Sequence, residues 1–126
     1  MLLNNIQFDI SIQEIERNLR CLGIARHYKG FSRFAYAVYL VIQNEARLEA
    51  VVKEVYMPVS EFFGCSWTAV ERSVRVVCAC VWEQRCDRIY EETGIKFQHH
   101  PIPSELLDVV SVYIKDKHNI RKAMHR

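Results

Sequence analysis

One acid and two arginines stand close together at the start of an otherwise apolar stretch. In "SWTAVERSVRVVCACVWEQR", residues 66–85, the charges Glu71, Arg72 and Arg75 come first, and apolar residues follow at helical spacing. Arginine can donate two parallel hydrogen bonds to guanine O6 and N7, and glutamate can accept one from the cytosine amino group. On a helix these three side chains would lie mostly on the exposed side, within the first two turns. The pattern predicts contacts with base edges of duplex DNA.

The same residues also have the spacing of a surface ion pair. Glu71 precedes Arg75 by four positions, the order in which an acid and a base stabilise a helix by a few tenths of a kcal/mol. The residues by themselves leave both interpretations open.

Helix start and stop signals predict that the charged stretch forms the second helix of a helix-turn-helix. "PVSEFFG", residues 58–64, has the pattern of a short helix, because proline is favoured in a first turn and Gly64 can end one. Ser66 or Thr68 can then cap a longer helix that runs to about residue 87. Two helices joined by a short glycine-containing turn are typical of a helix-turn-helix, although a plain helical hairpin gives a similar pattern.

The remaining segments predict further helices and almost no strand. "SIQE" is a capping box that begins a helix at Ser11, and Gly23 can end it. Apolar periodicity predicts helices over residues 32–44 and 46–56, and Ser104 is predicted to open the last one, followed by a frayed basic tail. We therefore expect an all-α fold, a compact bundle of about six helices containing a helix-turn-helix. The expected organisation is a single domain over residues 1–126, with an N-terminal extension at 1–10 and a basic tail at 118–126.

Length and composition indicate one globular domain. The chain has 126 residues, half of them hydrophobic and a quarter charged, which is enough to bury a core. It has no apolar run near the ~18 residues of a membrane span, and the start "MLLNN" lacks a secretion leader. Its five cysteines include no C-x-x-C pair, so we expect reduced thiols, a cytoplasmic location and no membrane partner.

The positive charges are clustered although the net charge is only +2. Residues 17–33 contain five cations and no acid, and residues 115–126 contain five cations and one acid. Such clusters suit a polyanionic partner, and a solvated face explains them nearly as often. Within the first cluster we predict that Arg26 and Lys29 contact the DNA backbone.

A metal site or a catalytic site is not expected. Cys78 and Cys80 diverge by about 200° on a helix, so they cannot both bind one zinc ion together with Cys86, His99 and His100. No triad order, phosphate-binding glycine loop or carboxylate pair stands out in the sequence. We predict that the protein is not an enzyme and needs no metal or cofactor.

Four segments resemble one known family. "AVERSVR" with the later tryptophan of "CVW" is similar to the V-E-R-x-I-R helix of the effector domain of the stage zero sporulation protein A family, the master sporulation transcription factor of endospore-forming bacteria. "GIARHYKGF" resembles its G-x-x-x-H-x-K-G-[YF] segment, "KEVYMPVSEFF" its K-x-L-Y-P-x-I-A-x-x-F segment, and "PIPSEL" its P-x-N-S-E-F segment. The similarity covers roughly residues 15–114.

The resemblance implies a six-helix domain that binds short duplex DNA boxes, often as a dimer of two head-to-tail copies on tandem sites. Glu71 and Arg72 would then contact bases, and Arg75 a base or the backbone. Ser66 and Thr68 would contact the backbone or support the recognition helix, around residues 67–86. Family members normally carry a receiver domain. None is present in this sequence, and its beginning leads us to expect a free-standing paralogue.

The sequence departs from the family at several positions. Val76 and Ala79 stand where the family has histidine and glutamate, and the bulky Trp67 stands where it has a small or polar residue. The proline at Pro58 is one place later than in the family pattern. These differences leave the DNA sequence open. The alternative is a protein-interaction module of the same fold, which dimerises with a full-length family member or contacts the sigma subunit of RNA polymerase. Exposed Val76 and Trp67 would suit that alternative.

Overall fold

Helices make up nearly all of the regular structure. The computed structural model describes residues 8–26 and 30–124, and within these ranges there is no β-strand. A 3₁₀ helix, Glu45–Ala50, and two π-helical turns, Val52–Tyr56 and Val81–Arg85, accompany six α-helices, which confirms the expected all-α bundle. The α-helices are α1 (Ile12–Cys21), α2 (Phe31–Gln43), α3 (Met57–Phe63), α4 (Trp67–Cys80), α5 (Cys86–Thr93) and α6 (Pro103–Met124).

Helix α2 is the centre of the bundle. It packs against α1, α3, α4 and α6, and its apolar side chains point to several sides, as expected of a helix surrounded by others. Phe34 and Val38 are fully buried on it, and they join Leu19 of α1, Val74 of α4 and Leu107 of α6 in one continuous core. The surrounding helices are therefore positioned relative to α2.

The short helix predicted to begin at Pro58 begins one residue earlier, at Met57, and the predicted separation from the preceding helix is wrong. The chain passes from the π-helical turn Val52–Tyr56 into α3 without interruption. Proline has no N–H to donate to the carbonyl four residues earlier, which here belongs to Glu54. The guanidinium of Arg47 donates to that carbonyl instead. Because a side chain satisfies the orphaned acceptor, the helix continues through the proline.

The long helix predicted to end near residue 87 is divided in two. Helix α4 ends at Cys80, a π-helical turn follows, and α5 continues to Thr93, where Gly94 adopts a left-handed conformation. The backbone of Arg85 departs from helical geometry, with φ −129°, and its Nε donates to the carbonyl of Gly23, 2.8 Å away. The division thus lies where the end of the π-helical turn meets the segment that follows α1.

The last helix begins earlier and ends later than the sequence predicted. It starts at Pro103 rather than at Ser104, and the carboxylate of Glu105 accepts the N–H of Ile102 at 3.0 Å. The predicted fraying from residue 118 is wrong, since the helix continues to Met124.

A buried carboxylate explains why the end of α6 is ordered. Glu14 of α1 is only 7 % exposed, and its two oxygens face His118 Nδ1 at 2.9 Å and Arg121 Nη1 at 3.4 Å. Buried charges need partners of this kind. Helix α1 and the end of α6 therefore hold each other in place.

The start of α2 touches α4 at a position that requires glycine. Gly30 has a φ of 88°, a conformation that favours glycine. A Cβ added there would lie 2.5 Å from the Cβ of Ser73. The close approach sets the distance between the two helices.

Replacing Gly30 tests this junction. We expect Gly30→Ala to cost about 1–2 kcal/mol for the backbone conformation and a further ~1–3 kcal/mol for overpacking against Ser73. Gly94→Ala is the matched control, because Gly94 has a φ of 77° but a Cβ added to it would meet none of the described atoms within 4 Å. Urea denaturation followed by circular dichroism measures both losses. Equal losses in the two variants would contradict close packing at Gly30.

Candidate nucleic-acid interface

Helices α3 and α4 are joined by the three residues 64–66. Gly64 ends α3 in a left-handed conformation, with φ 67°. The Oγ of Ser66 then accepts the N–H of Ala69 at 3.2 Å, so Ser66 is the N-cap of α4. Thr68 does not cap the helix; its hydroxyl lies 3.0 Å from that of Ser66. A short helix, a glycine turn and a longer helix have the connectivity of a helix-turn-helix.

One face of α4 is buried and the opposite face carries the charges. Val70, Val74 and Val77 are fully buried, whereas Arg72 and Arg75 are exposed. Residues three and four apart share a helix face, so burial of the valines fixes the outward direction of the arginines. Glu71 lies between the two faces.

Glu71 and Arg75 form the ion pair that was one of the two interpretations of the sequence. Arg75 Nη2 lies 3.4 Å from Glu71 Oε2, and the two side chains are 62 % and 31 % exposed. An exposed pair of this type contributes about 0.3–0.5 kcal/mol. Arg72 is exposed and forms no ion pair with any side chain that the structure describes.

Arg33 joins this surface, and sequence reasoning did not single it out. Its Nη1 donates to the Oγ of Ser73 at 3.1 Å, and the Ser73 hydroxyl donates to the carbonyl of Ala69 at 3.0 Å. Together with Arg72 and Val76 these residues line a cleft of about 120 Å³ between α2 and α4. Arg33 belonged to a run of cations in the sequence, but no local pattern shows which of them reaches α4.

The predicted backbone-contacting residues lie at different places. Ser66 and Thr68 are exposed at the start of α4, and Arg26 is exposed in the segment before α2. Lys29 lies outside the described residues. The structure therefore brings Ser66 and Thr68 close to Glu71 and Arg72 on one helix.

Two titratable groups beneath the charged face are neutral at ordinary pH. Burial, followed by the negative charge of Glu71, raises the pKa of Tyr56 to about 12. Burial also raises the pKa of Cys78 to about 12. The charge of this face therefore comes from the side chains at its surface.

The described residues contain no group of three His, Cys, Asp or Glu side chains arranged to hold a metal ion. His99 and His100 lie beside neighbouring backbone carbonyls, both at 3.1 Å, and Cys78 lies in the core. The absence of a metal or cofactor requirement stays a prediction. None of the described helices is both long enough and apolar enough to cross a membrane.

An all-α domain whose short helix and glycine turn lead into a helix with exposed arginines is consistent with the helix-turn-helix class of DNA-binding proteins. Residues 15–114 match the family described as sporulation initiation factor Spo0A C terminal. The match covers most of the chain, and the chain therefore belongs to that family, as the resemblance of the four segments implied. This family is a DNA-binding regulatory domain of a sporulation transcription factor and not a family of enzymes.

Cysteine labelling tests the orientation of α4. We expect iodoacetamide to modify the exposed Cys21 and to spare Cys78, because Cys78 is 1 % exposed and burial raises the pKa of its thiol to about 12. Mass spectrometry of proteolytic peptides measures both modifications, and the same reaction in urea is the control in which both cysteines should be labelled. Equal labelling rates in the native protein would show that this face of α4 is not in the core.

Proposed function

We propose that the protein regulates transcription by reading a short duplex DNA box with α4, through Glu71, Arg72 and Arg75. The observation that carries the proposal is the exposed guanidinium of Arg72 in the leading turns of α4, which pairs with none of the described acids. In helix-turn-helix proteins the leading turns of the second helix meet base edges in the major groove. Membership of a DNA-binding family supports the same function.

Three side chains of α4 fit different parts of a base pair. Arg72 can donate two hydrogen bonds to one guanine, and Glu71 can accept one from the cytosine amino group. Val76, 39 % exposed, can contact a thymine methyl group, for which apolar side chains are suited.

The Glu71–Arg75 pair does not prevent base reading. A good bidentate base contact is worth about 1–3 kcal/mol of discrimination, which exceeds the ~0.3–0.5 kcal/mol of an exposed ion pair. Glu71 and Arg75 can therefore break their ion pair and form hydrogen bonds to DNA instead. In the free protein the pair keeps the acid close to a cation, which limits its repulsion of the approaching phosphates.

Contacts to the DNA backbone would set the position of α4. Ser66 and Thr68 lie at the start of α4, where helix amides and the helix dipole favour a phosphate. Arg26, and Lys29 from its place in the sequence, would add contacts that do not depend on the base sequence.

Replacing Arg72 tests base reading. Duplexes selected from a random pool identify the preferred box, and fluorescence anisotropy then measures affinity for that box and for its single-base variants. We expect Arg72→Ala to lose about 1–3 kcal/mol of specific binding and to relax preference at one base pair. Arg72→Lys should keep the affinity for unrelated duplexes but lose the same preference, because an ammonium group cannot donate as a planar fork.

Lys122→Ala is the matched control for loss of one positive charge. Lys122 is exposed in the last turn of α6, at the end of the bundle where α6 meets the start of α1. This variant should keep both the affinity and the base preference. Wild-type preference in Arg72→Ala would refute the role of Arg72.

An exposed aromatic cluster favours a second candidate function. Phe62 of α3 is 65 % exposed, its ring lies 4.4 Å from that of Tyr36, and Phe63 lies 5.1 Å from Phe62. Exposed aromatic groups are typical of protein-contact surfaces. The second candidate is a protein-interaction module that dimerises with a full-length family member or contacts the sigma subunit of RNA polymerase.

Salt titration separates the two functions. Binding to DNA through lysines and arginines should weaken steeply with salt, with a log–log slope of about −0.9 for each phosphate contacted. We expect Arg26→Ala to weaken binding to all duplexes alike and to make this slope less steep. Anisotropy between low and high salt measures it, with Lys122→Ala as the control. A complex through the aromatic cluster would respond little to salt and would be lost in Phe62→Ala.

A further inference from the structure

Arg33 is a charged residue of α2 that lies beside α4. It lies in the first turn of α2, and its side chain reaches across to the exposed edge of α4. None of the predicted base or backbone contacts includes it. The proposed contacts of α4 therefore leave Arg33 without an assigned role.

One hydrogen bond, through Nη1, orients the guanidinium of Arg33. The Oγ of Ser73 uses its proton on the carbonyl of Ala69 and accepts from Arg33 Nη1 at 3.1 Å. A guanidinium has five N–H donors, and this is the one hydrogen bond from the Arg33 side chain to any residue that the structure describes. The group is thus oriented while most of its donors are available, which lowers the entropy lost on binding a ligand.

The charged side chains that line the cleft are both positive. Arg33 of α2 and Arg72 of α4 line it together with Ala69, Ser73 and Val76, and none of the described acidic side chains lines the cleft. Two arginines at one cleft favour an anion, and a guanidinium matches the geometry of phosphate oxygens.

We propose that Arg33 binds one backbone phosphate of the duplex at the cleft between α2 and α4. The proposal rests on the proposed function of α4, and it identifies a contact from outside the helix-turn-helix. Because Arg33 is anchored to Ser73 on α4, the phosphate that it binds flanks the base pair that Arg72 reads. A phosphate contact fixes register without reading sequence, so Arg33 is a positioning residue for Arg72.

Arg33→Gln is the main test, because glutamine keeps an amide donor for Ser73 and removes the charge. We expect affinity for the selected box and for unrelated duplexes to fall by the same factor, roughly tenfold for one charge-assisted contact. The log–log salt slope should become less steep by about 0.9. Arg33→Lys should restore the slope. Ser73→Ala should keep the slope and lose affinity only a few-fold, because the charge remains but is no longer held.

A scan with uncharged phosphate analogues identifies the phosphate that Arg33 contacts. In a set of selected duplexes, each phosphate in turn is replaced by an uncharged methylphosphonate. At one position, the methylphosphonate should lower the affinity of the native protein by the same factor as Arg33→Gln lowers affinity for the natural duplex. At that position the methylphosphonate should not lower the affinity of Arg33→Gln any further. The scan with the folded native protein remains decisive if a variant is unstable.

The outcomes separate this inference from the proposed function. If the native protein prefers the selected box but Arg33→Gln has the same affinity and salt slope, the phosphate contact is refuted and base reading by α4 stands. Loss at only one base sequence would also refute it, because Arg33 would then be reading a base. If the native protein prefers no duplex, the proposed function itself fails.

Discussion

The close approach of Gly30 to Ser73 is the constraint on which the candidate surface depends. An α-helix turns by about 100° per residue, so a rotation of α4 by one residue position would turn Arg75 toward the bundle. Buried Val70, Val74 and Val77 fix that rotation from beneath. The glycine, with no Cβ, lets α2 come close enough for Arg33 to reach the Ser73 hydroxyl. Backbone approach and charge placement are therefore consequences of one contact.

The exposed charges of α4 contribute little to stability, and this makes them available for binding. Glu71 and Arg75 hold each other through a weak surface pair. Removing such a pair when a ligand arrives costs little, in contrast to the buried carboxylate of Glu14, whose partners cannot leave without exposing or neutralising a charge. Among the described residues, the buried pairs of Glu14 thus lie away from α4, and the pair on α4 is an exposed one.

Local signals predicted much of the fold, and contacts distant in sequence account for the failures. The caps at Ser11 and Ser66 and the glycine that ends α3 depend on neighbours within a few residues, so the sequence shows them directly. The helix through Pro58 depends on a side chain from Arg47. The outward face of α4 followed from periodicity. The position of Arg33 could not be predicted from the sequence, because its partner Ser73 is 40 residues away.

Arg33 and the basic end of α6 are separated by about the length of α2, whereas Arg17 lines one groove with Lys117 and Arg121. Arg33, at the start of α2, contacts α4, whereas the side chain of Gln43, at its end, binds the backbone N–H and carbonyl of Phe8 at 2.7 and 2.8 Å. The ring of Phe8 lies 5.1 Å from that of His118, so the end of α6 lies near the end of α2. A helix of 13 residues spans about 20 Å, twice the ~10 Å over which salt screens exposed charges.

Glu14 further reduces the positive charge at the end of α6, where it pairs with His118 and Arg121. In the proposed function, the field that attracts a polyanion to α4 comes from Arg33, Arg72 and Arg75. Arg121 of α6 instead pairs with Glu14 and holds the end of α6 against α1. The low net charge of +2 is thus compatible with a positively charged cleft, because a DNA phosphate responds to charges within a Debye length and not to the total.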